Sequence, residues 1–545
     1  MYITRKSKRV GDKEYQSVLL VKSVRKDGMP RHETLLNLTQ WDTGDIEALE
    51  EALKRKAKGA VKKSTGENWA LEEVESTTGK SIGGLLSIQH LAKKAGILKA
   101  LGTTEEAKLA MVLIAGRLLT QGSRLKLCEW QEMNEVEAVI GAPKYTEDDL
   151  YKTLDWLSKN QAKIEQRLFE HRHGVSGKKP ALFLYDITSS YFEGKKNELA
   201  AFGHNRDGKK GKEQIVIGLL TDEEGVPVSV EVFEGNRSDC TTVIEQVEKM
   251  AHRFGVTELV MVGDKGMIKR TQIEAFTDGI HYITSITREQ IQTLIKKDVI
   301  QLSLFDNELA EVEDNGVRYV FRKNPIRTQE VRSERQARLD YLKEQIQEMN
   351  TYLSEHPKAR VNIQVAKCEQ KLKRFKLQSF CHIHATDRLL SLNVNEEERS
   401  ELSKLDGCYV LKTDLSKEDF PTQTIHERYK DLAKVESAFR TIKTGWLEIR
   451  PIYVRKESRT RAHVFVTMLA YMIAQSFSQL IKPLKLTVEA AWGYVTQLQT
   501  TLLSVANFSV KKIQSPSPKC AAIFDALNLK IPNLSFPPVV KKKSF

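Results

Sequence analysis

The stretch Leu182-Phe183-Leu184-Tyr185-Asp186-Ile187-Thr188-Ser189-Ser190-Tyr191-Phe192 places one acid in an otherwise apolar, β-rich run. A second run, Leu259-Val260-Met261-Val262-Gly263, ends at Asp264. A carboxylate at the end of an apolar strand costs free energy unless it reaches solvent or pairs with a cation. Either acid alone is also compatible with a simple turn. Together the two runs predict two strands that each carry a functional acid.

Residues 181–285 follow a regular order of strands and one helix. The turn Asp222-Glu223-Glu224-Gly225 joins two β-rich runs as a hairpin. The predicted strands are 181–192, 213–220, 226–233 and 258–263, and a helix from about Cys240 to Phe254 precedes the last of them. This β-β-β-α-β order is that of an RNase H-like core, so the predicted fold class is α/β with an RNase H-like catalytic core.

A third acid, Glu436, lies on a predicted helix with Tyr429 and Lys443 seven residues to either side. Residues seven apart drift only about 20° around a helix, so the three share one stripe, and Arg440 lies on the same side. Leu432, Val435, Phe439 and Ile442 form an adjacent apolar stripe. An amphipathic surface helix with a solvated charged face has the same pattern. The two strand acids favour a helix that lines a catalytic cleft.

Two strand carboxylates and one helix carboxylate can hold a pair of divalent metal ions. Mg²⁺ prefers carboxylate oxygen and keeps open positions for phosphate and water. Two such ions stabilise both the attacking and the leaving oxygen of an in-line phosphoryl displacement. The three acids therefore indicate phosphoryl transfer.

Several motifs occur in a fixed order between about residues 180 and 475. They are Tyr185-Asp186-Ile187-Thr188-Ser189, Gly235-Asn236-Arg237-Ser238-Asp239, Val262-Gly263-Asp264-Lys265-Gly266 and Tyr429-x6-Glu436-x6-Lys443, with Glu448–Tyr453 and Arg461–Val464 after them. These motifs resemble the DDE transposases of bacterial and archaeal insertion sequences, in the IS-four superfamily and its sixteen-thirty-four branch.

The resemblance implies catalytic and metal-binding roles for Asp186, Asp264 and Glu436, with two Mg²⁺ (or Mn²⁺) ions per active site. It implies DNA contacts for Tyr429, Lys443, Arg440 and Lys265. The superfamily has an arginine where this chain has Leu432. Arg428 and Arg440 are the candidates to take over its phosphate contact.

The function implied is a DNA transposase. It binds the terminal inverted repeats of its insertion sequence, cleaves the DNA strand at the ends and joins the 3′-hydroxyl to target DNA. The expected partners are double-stranded DNA, as transposon ends and as target, and a second copy of the chain in the paired-end complex. Two alternatives remain open: an RNase H-like nuclease that only hydrolyses DNA, and a non-catalytic DNA-binding protein derived from a transposase.

Composition agrees with a nucleic-acid partner. The 85 basic and 72 acidic residues leave a net charge of +13. This charge suits a polyanionic partner, but surface charge that only keeps the protein soluble would also account for it. Six scattered cysteines without a Cys-x-x-Cys pair indicate a reduced, cytoplasmic protein, nucleoid-associated in a prokaryote. Cys381-His382-Ile383-His384 lacks a second ligand pair at finger spacing, so no zinc site is expected. No signal peptide or membrane span is expected.

The chain divides into six predicted segments. Leu339, Leu342 and Ile346 on one helix, and Val365 and Cys368 on the next, predict an antiparallel helical hairpin at 330–378. Its basic residues suit either DNA contact or a solvated spacer: Arg335, Arg338, Lys343, Lys358, Arg360, Lys371, Lys373 and Arg374. The segments are a basic β-meander and linker at 1–80, a helical end-binding region at 81–178, the first part of the core at 179–289, an insertion with the hairpin at 290–425, the catalytic helix and the following helix at 426–480, and a helical C-terminal region with a basic tail at 481–545.

Overall fold

The computed structural model of the protein describes all residues except 1, 11–12, 27–28, 40–42, 44–45, 48, 51–52, 54–73, 175–181, 195, 205, 210, 444–446, 450–451, 506–507, 533–538 and 541–545. Much of the linker predicted at the end of segment 1–80, and the basic tail at 541–543, lie outside the described residues, but the last part of that linker is wrong because Val74–Ser81 forms a strand. The chain forms two compact units, residues 1–74 and 75–545.

The first unit contains the predicted β-meander. Strands β1 (Tyr2–Val10), β2 (Lys13–Lys26) and β3 (Met29–Asn37) pair in antiparallel order. Exposed Lys6 and Lys22 lie on β1 and β2. The meander is therefore confirmed.

The second unit is a mixed α/β structure. Its strands are β4 (Val74–Ser81), β5 (Leu182–Tyr191), β6 (Gln214–Asp222), β7 (Pro227–Glu234), β8 (Leu259–Val262), β9 (Ile280–Ser285), β10 (Ala310–Asp314), β11 (Val317–Lys323), β12 (Cys381–Thr386), β13 (Leu389–Val394), β14 (Cys408–Thr413), β15 (Gln499–Val505), β16 (Phe508–Ile513) and β17 (Val539–Val540).

Seventeen α-helices are described in this unit. They are α1 (Gly83–Lys94), α2 (Ile97–Leu101), α3 (Glu105–Leu119), α4 (Arg124–Met133), α5 (Val136–Ile140), α6 (Glu147–His173), α7 (Asp239–Phe254), α8 (Arg270–Glu274), α9 (Arg288–Lys296), α10 (Pro325–Glu355), α11 (Val361–Phe375), α12 (Glu396–Lys404), α13 (Thr422–Lys430), α14 (Leu432–Lys443), α15 (Glu457–Ile481), α16 (Val488–Thr496) and α17 (Pro518–Leu527).

The main sheet has eight strands in the order β10-β11-β14-β9-β8-β5-β6-β7. β5, β6 and β7 are antiparallel neighbours, whereas β8 is parallel to β5 and β9 is parallel to β8. Nearly every residue of β5 and β6 is buried, as expected for central strands covered on both faces. The predicted β-β-β-α-β order from β5 to β8 is confirmed, while β9 was not predicted.

The insertion extends this same sheet. β14 pairs with β9, then β11 with β14 and β10 with β11, all antiparallel. The strands on either side of the helical hairpin, β11 and β14, therefore belong to the main sheet. Without β14, β9 would present an open sheet edge, and covering such an edge avoids unwanted pairing.

The helical hairpin itself is confirmed as α10 and α11. Its buried seam includes Leu339, Leu342, Ile346, Cys368 and Leu372, and the two-stranded sheet β12–β13 packs onto the same cluster through Phe380, Cys381 and Leu390. His382 and His384 lie on the exposed face of β12. Side chains alternate along a strand, so the cysteine and the histidines face opposite sides.

One basic residue of the hairpin is not on its outer face. Arg335 is buried, and its Nη1 donates to Asp406 Oδ2 at 2.9 Å, with a second bond from Nη2 to Oδ1. The prediction that Arg335 is available to a phosphate backbone is wrong. A buried carboxylate needs a paired cation, and this pair ties α10 to the turn before β14.

Helix α6, which precedes β5, packs on the main sheet. Glu165 of α6 is fully buried and accepts from Ser229 Oγ at 3.0 Å and from the Val230 N–H at 3.2 Å, both on β7. Arg253 of α7 donates to the same carboxylate. Burial raises the pKa of Glu165, while Lys249 and Arg253 oppose the rise. This buried network fixes α6 and α7 to β7.

Helix α15 is the central helix of the unit. It packs against α3, α6, α14 and β7. Among the described residues, Glu457–Leu484 is the one stretch of helix that is long and apolar enough to cross a membrane by length and composition. Most of this stretch is buried in the core, which accounts for its apolar composition.

The C-terminal region is not wholly helical. β15, β16 and β17 form a second sheet with β4, in the order β17-β16-β15-β4. The prediction of a helical C-terminal region is wrong for this stretch, because α16 ends at Thr496 and β15 follows. Thr500 is buried and its Oγ1 accepts from the Lys80 N–H at 3.0 Å. A partner strand more than 400 residues away therefore decides the conformation of this run.

Candidate active site

Asp186 stands in the middle of β5, between buried Tyr185 and Ile187. Its Oδ1 accepts the Ile187 N–H at 2.8 Å. Burial raises the pKa of Asp186 to about 7, and the nearby carboxylates of Asp264 and Glu436 add to the rise. The ionised form of Asp186 is thus disfavoured until a cation compensates its charge.

Asp264 follows the end of β8, beside Asp186. Leu184 of β5 and Val262 of β8 are in register in the parallel pair, and each acid stands two residues further on. Asp264 is exposed. Its Oδ1 accepts N–H groups from Gly266 at 2.8 Å and Met267 at 3.1 Å. These bonds fix the carboxylate in the turn that leaves the sheet.

Glu436 reaches the same region from α14. The apolar stripe predicted beside it is confirmed, because Leu432, Val435, Phe439 and Ile442 are all buried, and α14 packs on β5. Glu436 itself is exposed. Its charge contributes to the raised pKa of Asp186, so the helix carries it towards the strand acids.

The predicted continuous helix is interrupted. α13 ends at Lys430 and α14 begins at Leu432, with Asp431 as a turn between them. The single stripe from Tyr429 to Lys443 is therefore wrong as a description of one helix. The Asp431 carboxylate pairs with Arg428 at 3.2 Å and Lys434 at 2.9 Å, which holds the junction from both sides.

Lys443 and Tyr429 are engaged within the protein. Lys443 is buried, and its Nζ lies 2.6 Å from Asp207 Oδ1 and 2.9 Å from Thr188 Oγ1. The Tyr429 hydroxyl donates to Ser285 Oγ at 2.8 Å. Lys443 thus ties the end of α14 to β5 and to the loop that holds Asp207.

Arg440 and Lys265 are exposed, on α14 and next to Asp264 respectively. Leu432, which occupies the position of the superfamily arginine, is buried. Arg428 pairs with Asp431 and lies 3.8 Å from Glu223. Arg440 is therefore the more accessible of the two candidates for the missing phosphate contact, and all four DNA-contact assignments stay predictions.

Two residues near the acids were not assigned a role from the sequence. Arg206 forms an ion pair with Asp239, and its charge counteracts the raised pKa of Asp186. A Cβ atom placed on Gly266 would lie 3.1 Å from Asp264 Oδ1 and 3.8 Å from Asp239 Oδ2. Asp239 is thus a fourth carboxylate beside Asp264. It belongs to the Gly235–Asp239 motif, and this motif is the sequence signal that could have identified it.

The three acids supply the hard oxygen donors that Mg²⁺ prefers. Within the described residues, no three His, Cys, Asp or Glu side chains are gathered as a ready-made metal cluster. The electrostatic coupling of Asp186 with Asp264 and Glu436 nevertheless fits a cation site, because a bound cation would relieve the repulsion. Asp186, Asp264 and Glu436 are the residues that could hold it.

Comparisons with known proteins identify the family of the chain. Residues 177–473 match the family described as "Transposase DDE domain", and residues 3–66 match the "IS1634 family transposase, N-terminal domain". A solved structure described as the piggyBac transposase synaptic complex with hairpin DNA is similar at 8% identity over 76% of each chain, with a TM-score of 0.34. No curated protein matches.

Proposed function

The chain belongs to the DDE transposases of the IS1634 family, and we propose how it acts on DNA. It binds the terminal inverted repeats of its insertion sequence, cleaves a strand at each end and joins the freed 3′-hydroxyl to target DNA. The observation that carries the proposal is the approach of Asp186, Asp264 and Glu436 from two parallel strands and a packed helix.

The order of the core strands supports an RNase H-like catalytic core. In chain order, the first three strands are antiparallel, and the fourth and fifth lie parallel to the first on its other side. The insertion between β9 and α13 then separates the strand acids from the helix acid along the sequence. The two parts of the core reunite where α14 packs on β5.

Each acid has a distinct part in this proposal. Asp186, Asp264 and Glu436 hold two Mg²⁺ (or Mn²⁺) ions. When bound, two such ions would supply activation of the attacking oxygen and neutralisation of charge on the scissile phosphate. Asp186 gives up its proton when the site fills, because its ionised form is unfavourable without a cation. The backbone N–H groups of Gly266 and Met267 keep the Asp264 carboxylate in place.

Basic residues position the DNA in the proposal. Lys265 and Arg440 are exposed beside the acids and contact phosphates, which fix register without reading sequence. Tyr429 and Lys443 reach phosphates of the terminal nucleotides once DNA replaces their present partners. The N-terminal meander and the helices of 81–178 recognise the repeats. Two copies of the chain hold the paired ends. The protein acts at the nucleoid in the cytoplasm.

A strand-transfer assay with paired ends tests the function. The DNA carries the inverted repeats that flank the reading frame of this chain, and the readout is the joined product as well as the cleaved strand. A transposase gives both products. Cleavage without joining indicates a nuclease, and binding without either product indicates a non-catalytic DNA-binding protein; each result would overturn the proposal.

A further inference from the structure

A small cavity lies away from the acids, between α3, α4, α6 and α15. Its volume is about 20 Å³, which is room for one oxygen-sized atom. Arg117, Arg124 and His463 line it together with apolar side chains that include Leu113, Leu127 and Val466. Two guanidinium groups therefore share a largely apolar pocket.

The hydrogen bonds determine the state of His463. Arg124 Nη2 lies 3.0 Å from His463 Nδ1, and His463 Nε2 lies 3.2 Å from the Ile449 carbonyl oxygen. A guanidinium only donates, so Nδ1 accepts and the ring proton is on Nε2. Burial and the charges of Arg124 and Arg117 lower the pKa of His463, which agrees with a neutral ring. His463 orients Arg124 and carries no charge itself.

Neither guanidinium has a carboxylate within ion-pair distance in the part of the chain that the structure describes. Arg117 donates to the Glu448 carbonyl oxygen at 3.1 Å, and Arg124 donates to His463. Burial lowers the pKa of Arg117 to about 10, with the charge of Arg124 as the next cause. The charge of Glu448, at longer range, acts to raise the pKa of Arg117. The charge of Glu147 acts in the same way on the pKa of Arg124.

Arg459 provides the contrast. It lies over the same Tyr151 ring as Arg124, at 4.9 Å and 5.6 Å from the ring centroid. Unlike Arg124, Arg459 makes a two-point ion pair with Asp155 at 2.8–3.1 Å. A buried cation is stable when it is paired. Arg117 and Arg124 are two partly buried cations that still need an anion.

We propose that Arg117 and Arg124 form a phosphate-binding site, in which one phosphate oxygen enters the cavity and His463 holds Arg124 in position. A guanidinium presents several N–H donors in a fork that matches oxyanions, and each of these two uses one donor among the described residues. The ligand is either a DNA backbone phosphate or free inorganic phosphate, and only the DNA source rests on the proposed function.

The position of this site links it to the catalytic helix. The Ile449 N–H donates to the Ile442 carbonyl oxygen of α14 at 2.7 Å, and the Ile449 carbonyl oxygen faces His463. The Glu448 carbonyl oxygen accepts from Arg117. A phosphate bound here steadies the segment that follows α14.

Thermal unfolding of the full chain tests the site, with sodium phosphate compared against sodium chloride at equal ionic strength. Wild type should gain Tm saturably with phosphate. Arg124→Gln should lose this gain and, without phosphate, be at least as stable as wild type, because an uncompensated charge is gone. The matched control Arg459→Gln should lose Tm but keep the phosphate gain. Arg117→Gln repeats the test at the second guanidinium group, with the same expected results.

DNA binding then identifies the source of the phosphate. If DNA supplies it, Arg124→Gln lowers the salt-dependence slope of duplex binding by about 0.9; if the slope is unchanged, the site takes free phosphate. The proposal is overturned if wild type gains no more Tm from phosphate than from chloride, if Arg124→Gln keeps the gain, or if Arg124→Gln loses stability without phosphate as Arg459→Gln does. These outcomes do not depend on cleavage activity.

Discussion

At the scale of single residues, Asp186 lies where burial and like charge oppose its ionised form. Its pKa of about 7 is above the ordinary value of 3.8. The folded protein therefore binds this proton more tightly than the unfolded chain does. Stability falls as pH rises from about 3.8 to 7, and the loss is complete above pH 7.

We expect Asp186→Asn to stabilise the metal-free protein at pH 8 by about 1–4 kcal/mol, since the amide has no charge to bury. Urea unfolding in chelator and in Mg²⁺ measures this effect. Wild type should gain stability from Mg²⁺ and the variant should not. Asp278→Asn, at an exposed acid, is the control and should change neither value. A variant less stable than wild type in chelator would refute the account of Asp186.

Lys443 and Asp207 form a second residue-scale test. Both side chains are buried, at 10% and 4% exposure, and Asp207 also accepts the Tyr191 N–H at 3.1 Å. Removing one member leaves a buried charge, so Lys443→Met should cost about 3–5 kcal/mol. Lys443→Met with Asp207→Asn should recover part of that loss. Urea unfolding gives both values, and strictly additive losses would contradict a coupled pair.

Sequence patterns identified the acids but not these partners. Asp186 and Asp264 are marked by the apolar strands that lead to them, which is a local signal. Asp207 lies in a loop and Asp239 at the start of a helix. Their partners, Lys443 and Arg206, are distant in the sequence or belong to no helical or strand repeat. Long-range ion pairs leave no local pattern, so the burial of Lys443 could not be predicted.

At the scale of elements, Glu311 joins the insertion to the start of α13. Its carboxylate contacts Arg318 and Lys417 at 2.8 Å and Thr422 at 2.6 Å. Partial burial acts to raise its pKa, but these hydrogen bonds prevail and lower the pKa to about 2. The stabilisation is therefore present above pH 4.5 and is lost as pH falls through 2.

Glu311→Gln should lower stability by about 1–3 kcal/mol at pH 7 and by much less near pH 2. Urea unfolding at several pH values measures the difference between variant and wild type. Glu313→Gln on the same strand is the control and should follow wild type. A loss that is equal at pH 7 and pH 2 would show that the charge of Glu311 is not the cause.

The helical arm, residues 325–406, can be removed without opening the sheet. Lys323 of β11 pairs with Cys408 of β14, so a short Gly/Ser turn can connect the two strands. We expect this deletion to fold and to lose assembly of the paired-end complex, because exposed basic residues such as Lys343, Lys358 and Lys373 suit DNA or a partner subunit. Gel shift with paired ends measures assembly. Full transposition by the deletion protein would leave only a spacer role.

Elements with a strong local period were predicted well, and elements decided by distant pairing were not. The apolar residues of the hairpin seam repeat at helical spacing, and this repeat predicted α10 and α11. β9 and β15 depend on neighbours far away in the chain, and a short apolar run alone does not separate strand from helix. In the C-terminal region the predicted helical conformation gave way to strand β15, because β4 is available there as a pairing partner.

At the scale of the whole molecule, the boundary at residue 74 gives a direct test of end recognition. A fragment of residues 1–74 should bind terminal-repeat DNA more tightly than random DNA, with affinity that falls steeply as salt rises. Lys6→Gln and Lys22→Gln, at exposed positions, should each reduce the salt slope by about 0.9. Equal affinity for repeat and random DNA would place end recognition outside this unit.

The central claim is that Asp186, Asp264 and Glu436 act together as the catalytic acids. Strand cleavage of terminal-repeat DNA in Mg²⁺, with gel-shift binding measured on the same preparations, tests it most directly. We predict that Asp186→Asn, Asp264→Asn and Glu436→Gln each abolish cleavage with end binding largely intact, while Glu427→Gln, at an exposed acid of α13, cleaves as wild type does. Near-normal cleavage by any one of the three variants would contradict the claim for that residue.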